Sequence, residues 1–155
     1  GYTGRSVRAT IISLLFVSLL GCAQQPGSEE TSSQRGSSPI LGQEFALEYG
    51  QETTLKDEGL KVRFASVTSE SRCPSDPKVN CVWEGYAQIV VRLSKDGEGA
   101  AHMKLNTPNP LMEKYPSKDG YLDYTVKLVK LSPYPRTAEA IKAAEYEATL
   151  LLTKA

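Results

Sequence analysis

Histidine is almost missing from this chain: His102 stands alone among 155 residues. Any Ser-His-Asp or Cys-His mechanism would have to use it. Alternation in the surrounding segment places His102 opposite Met103, on the solvent side of a strand. Soft-ligand copper binding by His102, Met103 and Met112 would pull Met103 out of a core position. Cysteine is also scarce, with only Cys22, Cys73 and Cys81. None forms the C-x-x-C of redox enzymes, and no companion ligand near Cys73 and Cys81 suits zinc. No cofactor is therefore expected. Formal net charge is 0, without a basic stretch, so nucleic acid is not an expected partner. No apolar run reaches the roughly 20 residues that a membrane-spanning helix requires.

What the chain does have begins with a short apolar run. Ala9 to Leu20 is small or apolar throughout and follows Arg5 and Arg8, the pattern of a secretory signal. It ends in Leu19-Leu20-Gly21-Cys22. This resembles the lipobox of bacterial lipoproteins. The resemblance implies a signal peptide over residues 1–21, cleavage before Cys22, and a diacylglycerol on the Cys22 sulfur. Several acyl chains make a durable membrane anchor, whereas one is marginal. Ala23 follows in place of the aspartate that favours inner-membrane retention. If the organism is Gram-negative, the pattern points to the outer membrane, facing the periplasm. Without Arg5 and Arg8 the chain has 16 bases against 18 acids, a charge near −2. Residues 22–40 are rich in Gln, Ser, Gly and Glu, which is the composition of a disordered tether. A coil of that length spans roughly 20–25 Å.

From Leu41 onwards the pattern becomes one of alternation. Phe45, Leu47 and Tyr49 share a face, as do Leu60, Val62 and Phe64. Ala87, Ile89, Val91 and Leu93 form the clearest set, and the turn signal Asp96-Gly97 leads to Ala101, Met103 and Leu105. Tyr124, Val126 and Leu128 follow, then Tyr146, Ala148, Leu150 and Leu152. About six strands of period two, separated by turn residues, predict one all-β domain over 41–155, an antiparallel sandwich or barrel. Thr137 to Ala144 has helix-forming composition and is expected to give a short helical turn. Thr107 to Gly120, with three prolines, reads as a long irregular loop.

One constellation stands out: Glu70-Ser71-Arg72-Cys73-Pro74, then Cys81-Val82-Trp83-Glu84-Gly85. In an exported protein Cys73 and Cys81 would pair. The nine-residue ring would stabilise by about 2.5 kcal/mol, and Pro74 and Pro77 would stiffen it further. The stretch resembles a family of uncharacterised bacterial lipoproteins and secreted proteins marked by D-S-R-C-P and C-x-W-x-G. Ser71, Arg72, Cys73, Pro74, Cys81, Trp83 and Gly85 match, with Glu70 in the place of aspartate. Leu131-Ser132-Pro133-Tyr134-Pro135 fits a second pattern of that family. The resemblance runs from about Phe45 to Thr153. It implies an all-β fold and an exported location, and no activity.

Arg72 and Trp83 admit two readings. As a recognition patch, Trp83 is a flat contact and Arg72 an anion-binding fork. As structure, Trp83 packs over the disulfide while Arg72 pairs with Glu70, Asp76 or the ring face, and this second reading is the favoured one. Tyr115, Tyr121, Tyr124 and Tyr134 gather around the proline-rich loop. Their rings suit contact with a protein or glycan, or else cap the core. Tyr115, Tyr121 and Tyr134, with Arg72 and Trp83, are the candidate binding residues. The expected function is that of a lipid-anchored, non-enzymatic interaction module of the cell envelope, with a protein or glycan as partner. The alternatives are an inhibitor of envelope proteases presenting the Cys73–Cys81 loop, and a carboxylate-dependent hydrolase drawing on Glu48, Glu84, Asp119 or Asp123.

Overall fold

The computed structural model describes residues 38–155 apart from 112, 113 and 115. The expected signal segment, Cys22, nearly all of the expected tether and Tyr115 lie outside the described residues. Eight strands run in chain order: β1 Glu44–Glu48, β2 Glu52–Leu55, β3 Leu60–Glu70, β4 Ala87–Lys95, β5 Ala101–Asn106, β6 Lys118–Tyr121, β7 Tyr124–Ser132 and β8 Glu147–Lys154. They form two four-stranded sheets, β1-β8-β7-β6 and β2-β3-β4-β5, antiparallel throughout. The expected all-β domain is therefore a sandwich-like pair of sheets, not a closed barrel.

Alternation explains the core. Ala87, Ile89, Val91 and Leu93 of β4 are fully buried, and so are Leu60, Val62 and Phe64 of β3. From the other sheet Val126 and Leu128 of β7, and Ala148, Leu150 and Leu152 of β8, fill the same interior. His102 is exposed beside buried Met103, as the alternation requires.

Two expectations need correction. Among the described residues there are eight strands rather than about six, because the four-residue edge strands β2 and β6 each bury one side chain, Leu55 and Tyr121, with no apolar residue two positions away in the strand to mark a period. β6 also shortens the proline-rich loop to residues 107–117. The expected short helical turn is present as a single 3-10 turn, Ala143–Glu145, at the end of the segment and with no buried residue. Without a face to pack, so short a segment does not hold an α-helix.

Register slips position the residues that matter for function. β3 slips between Phe64 and Ser66 and again between Val67 and Ser69. A single slip turns every later side chain to the other face, and the second restores the first facing. Glu70 consequently pairs with buried Ala87 and lies on the core face. In β7 a slip between Leu128 and Lys130 turns Leu131 inward and leaves Lys130 exposed.

The two ends of the sandwich differ. One carries the short turns at 56–59, 96–100 and 122–123, together with the C-terminus. The chain also enters the domain at this turn end, since Glu44 pairs with Leu151. The other carries three long connections, residues 71–86, 107–117 and 133–146.

Candidate functional site

At the loop end the β3–β4 ladder continues past its strands. Ser71 N–H donates to the Tyr86 carbonyl at 2.9 Å and Cys73 N–H to that of Glu84 at 2.8 Å. The Cys73–Cys81 disulfide is present, with 5.9 Å between Cα atoms. Inside its ring Asp76 is occupied locally, accepting from the Lys78 N–H at 2.9 Å. Gly85 has φ +66°, and a Cβ on it would lie 1.8 Å from the Ser71 carbonyl oxygen. Only glycine lets the two backbones approach so closely. Reducing the disulfide is expected to lower folding stability by about 2–3 kcal/mol. Urea unfolding with and without reductant measures this, with a Cys73→Ala/Cys81→Ala double variant as the reductant-insensitive control.

Arg72 is buried beneath these loops. Its Nε donates to Glu70 Oε1 at 2.8 Å and its Nη2 to Glu70 Oε2. Nη1 reaches the other sheet, donating to the Leu131 carbonyl at 2.7 Å, and Nη2 also donates to the Pro133 carbonyl at 3.1 Å. The guanidinium lies 5.2 Å from the centre of the Tyr134 ring. Tyr146, at the start of β8, donates its hydroxyl to Glu70 Oε2 at 3.0 Å. Arg72 thus bolts the two sheets together. Its ring partner is Tyr134, not Trp83, and its carboxylate is Glu70, not Asp76. With most of its donors engaged internally, it has little left to serve as an anion fork.

Burial and the neighbouring Glu70 carboxylate push the Tyr146 phenol up to about 12. The folded state therefore holds this proton more tightly than the unfolded chain, whose tyrosines titrate near 10. The associated stability is complete below pH 10 and is lost as pH rises towards 12. Between those values the wild-type urea midpoint is expected to fall more steeply than that of Tyr146→Phe.

Two further contacts join the loops. Ser75 N–H donates to the Pro135 carbonyl at 3.0 Å, and Asn109 Nδ2 donates to that of Gly85 at 3.2 Å. Buried Asn106 anchors the middle loop through its own N–H and Nδ2, both donated to the Pro116 carbonyl. All three connections are therefore tied to one another by hydrogen bonds to backbone.

From this frame four large apolar side chains project. Val82 is fully exposed, Leu111 is 86% exposed, Trp83 63% and Tyr134 49%. Trp83 does not pack away as the favoured structural reading held: it lies in a bend that follows the staple, beside fully exposed Val82. Beside Tyr134 lies a cleft of about 240 Å³, bordered by Arg72, Glu84 and Gly85 on one loop, Pro108 and Asn109 on the next, and Lys130 and Leu131 on β7.

Of the candidate binding residues, the structure brings Arg72 and Tyr134 into contact and leaves Trp83 exposed on the adjoining loop. Tyr121 is elsewhere. It is buried at the turn end, where its hydroxyl donates to the Gly99 carbonyl at 2.7 Å and accepts from the Lys95 N–H. Tyr124 lies at that end too, donating to Glu58 and accepting from Lys95 Nζ. Hydrogen bonds from Tyr124 and Lys154 hold the Glu58 carboxyl below its ordinary value. These rings cap the core. Val82 and Leu111, absent from the sequence-based candidates, carry no motif, and only their exposure marks them.

The acidic residues considered for hydrolysis are spread apart. Glu84 borders the cleft, Asp119 is on β6, Glu48 is on β1, and Asp123 lies 3.6 Å from Lys154 at the turn end. Among the described residues no group of three or more His, Cys, Asp or Glu is placed to hold a metal. No family model matches the chain, and no curated protein or solved structure matches it significantly.

Proposed function

We propose that this protein is an exported, lipid-anchored interaction module of the bacterial cell envelope, and that it binds its partner through the loop end of the sandwich. The observation that carries the reading is the exposure of Val82, Trp83, Leu111 and Tyr134 on three loops that share one hydrogen-bonded frame. Large exposed apolar residues on a rigid support are the composition of binding hot spots. A frame fixed beforehand also lowers the ordering cost of association. The signal-like segment and the lipobox-like Leu19-Leu20-Gly21-Cys22 support the export and the anchor. The resemblance to envelope lipoproteins with the stapled C-x-W-x-G motif agrees with both.

Photo-crosslinking in cells tests this. A crosslinking residue at position 82 is expected to give a discrete adduct with an envelope component. One at position 57, exposed in the turn between β2 and β3, is expected to give none. Equal labelling from both positions, or no adduct from position 82, would overturn the reading.

A further inference from the structure

The cleft beside Tyr134 has a chemistry that narrows what can fill it. Pro108, Leu131 and the tyrosine ring make its walls apolar, and Gly85 contributes bare backbone. Lys130 and Glu84 bring one charge of each sign, and neither the ammonium nor the carboxylate has a partner among the described residues. The Tyr134 ring is about half exposed, and the Arg72 guanidinium already lies against it.

Size and charge then sort the occupants. A cleft of about 240 Å³ is smaller than the roughly 300–1,000 Å³ that holds a drug-sized ligand, and suits one side chain. A cationic side chain would meet Lys130 and a ring whose π cloud is already engaged by Arg72. A carboxylate would meet Glu84. An aliphatic chain would desolvate both charges and pair with neither. A phenol meets none of these penalties. Its ring stacks offset against Tyr134, and its hydroxyl can donate to Glu84 or accept from Lys130.

We infer that the cleft is an anchor pocket for one tyrosine side chain of a protein partner, whose surrounding surface covers Val82, Trp83 and Leu111. The inference rests on reading the loop end as the binding face, and it names what that face takes. A glycan could stack a sugar ring on Tyr134, but it would leave the apolar residues of the other two loops uncovered. Those residues favour a protein.

The test uses the full chain and amide chemical shifts of Gly85, Asn109, Leu131 and Tyr134, with the fluorescence of Trp83, the single tryptophan, as a second signal. N-acetyl-tyrosinamide is expected to saturate these shifts with a Kd on the order of 1 mM. N-acetyl-phenylalaninamide, lacking the hydroxyl, is expected to bind about fivefold more weakly. N-acetyl-lysinamide and N-acetylglucosamine are expected not to saturate. Glu84→Ala, at an exposed position outside the frame's bonds to side chains, should remove the preference for tyrosine over phenylalanine. The inference is overturned by equal binding of the two aromatic amides, by preferential binding of the sugar, or by no saturation with tyrosinamide. If tyrosinamide fails while position 82 still crosslinks to a partner, the pocket's assignment falls and the binding face stands.

Discussion

Arg72→Ala is expected to lower folding stability by about 3 kcal/mol, the low end of the cost of breaking a buried ion pair, because the Glu70 side chain left behind is partly buried, at 22% exposure. Removing the guanidinium leaves the Glu70 carboxylate accepting only from Tyr146 and from the backbone N–H of residue 72, without its two bonds from the arginine side chain. It also leaves the Leu131 and Pro133 carbonyls without this donor, and each such loss near the core costs about 1 kcal/mol or more. Arg72→Lys should recover only part of the loss, because one ammonium cannot reproduce a two-pronged bond to Glu70 together with bonds to two carbonyls. A double variant, Arg72→Met/Glu70→Met, is expected to be more stable than Arg72→Ala, since no charge remains buried. Urea unfolding of the three variants gives the ordering. An Arg72→Ala midpoint within error of wild type would mean that the bolt between sheets carries no load.

Gly85→Ala is the second large effect, expected at about 3 kcal/mol or more. Two costs combine. A left-handed φ costs a residue with a Cβ about 1–2 kcal/mol, and forcing an atom into filled space adds about 1–3 kcal/mol. The obstruction is backbone: the Ser71 carbonyl oxygen at 1.8 Å and its carbon at 2.6 Å from the new Cβ. That strand segment carries Arg72, so it cannot withdraw without straining the bolt. Gly97→Ala provides the comparison. Gly97 has φ +80° but nothing within 4 Å of a Cβ, so only the conformational cost applies, about 1 kcal/mol. Equal losses at the two sites would show that the close approach of residues 71 and 85 is not needed.

The sequence made the long strands legible because each holds a stretch in which inward apolar residues alternate, even where a slip interrupts it in β3 and β7. β3, β4, β5, β7 and β8 each present at least two buried residues two apart. β1 also buries only Leu47, but apolar Phe45 and Tyr49 flank it two positions away, whereas the single buried residues of β2 and β6, Leu55 and Tyr121, have no apolar neighbour at that spacing within their strands. The staple was legible because Cys73 and Cys81 are an isolated pair in a chain with an export-like beginning. Glu70 as the partner of Arg72 stood among three options. What separated them was the pair of slips in β3, which no residue type announces. The carbonyls of Leu131 and Pro133 lie 59 and 61 residues further on. A backbone acceptor has no side-chain signature, so the bolt between sheets was beyond sequence reading. The exposure of Trp83 was missed for a related reason. In sandwich domains a tryptophan beside a disulfide often packs on it, and the bend at residues 82 and 83 that leaves Trp83 exposed is a property of the loop, not of its composition.

The oxidised staple and the proposed place of action depend on the same event, passage of the chain out of the reducing cytoplasm. Mass spectrometry of the mature polypeptide tests both at once. The account predicts a chain beginning at Cys22 that carries diacylglycerol on its sulfur, and a proteolytic fragment in which Cys73 and Cys81 are joined. An unmodified Cys22 still preceded by residues 1–21, with free thiols at positions 73 and 81, would contradict it.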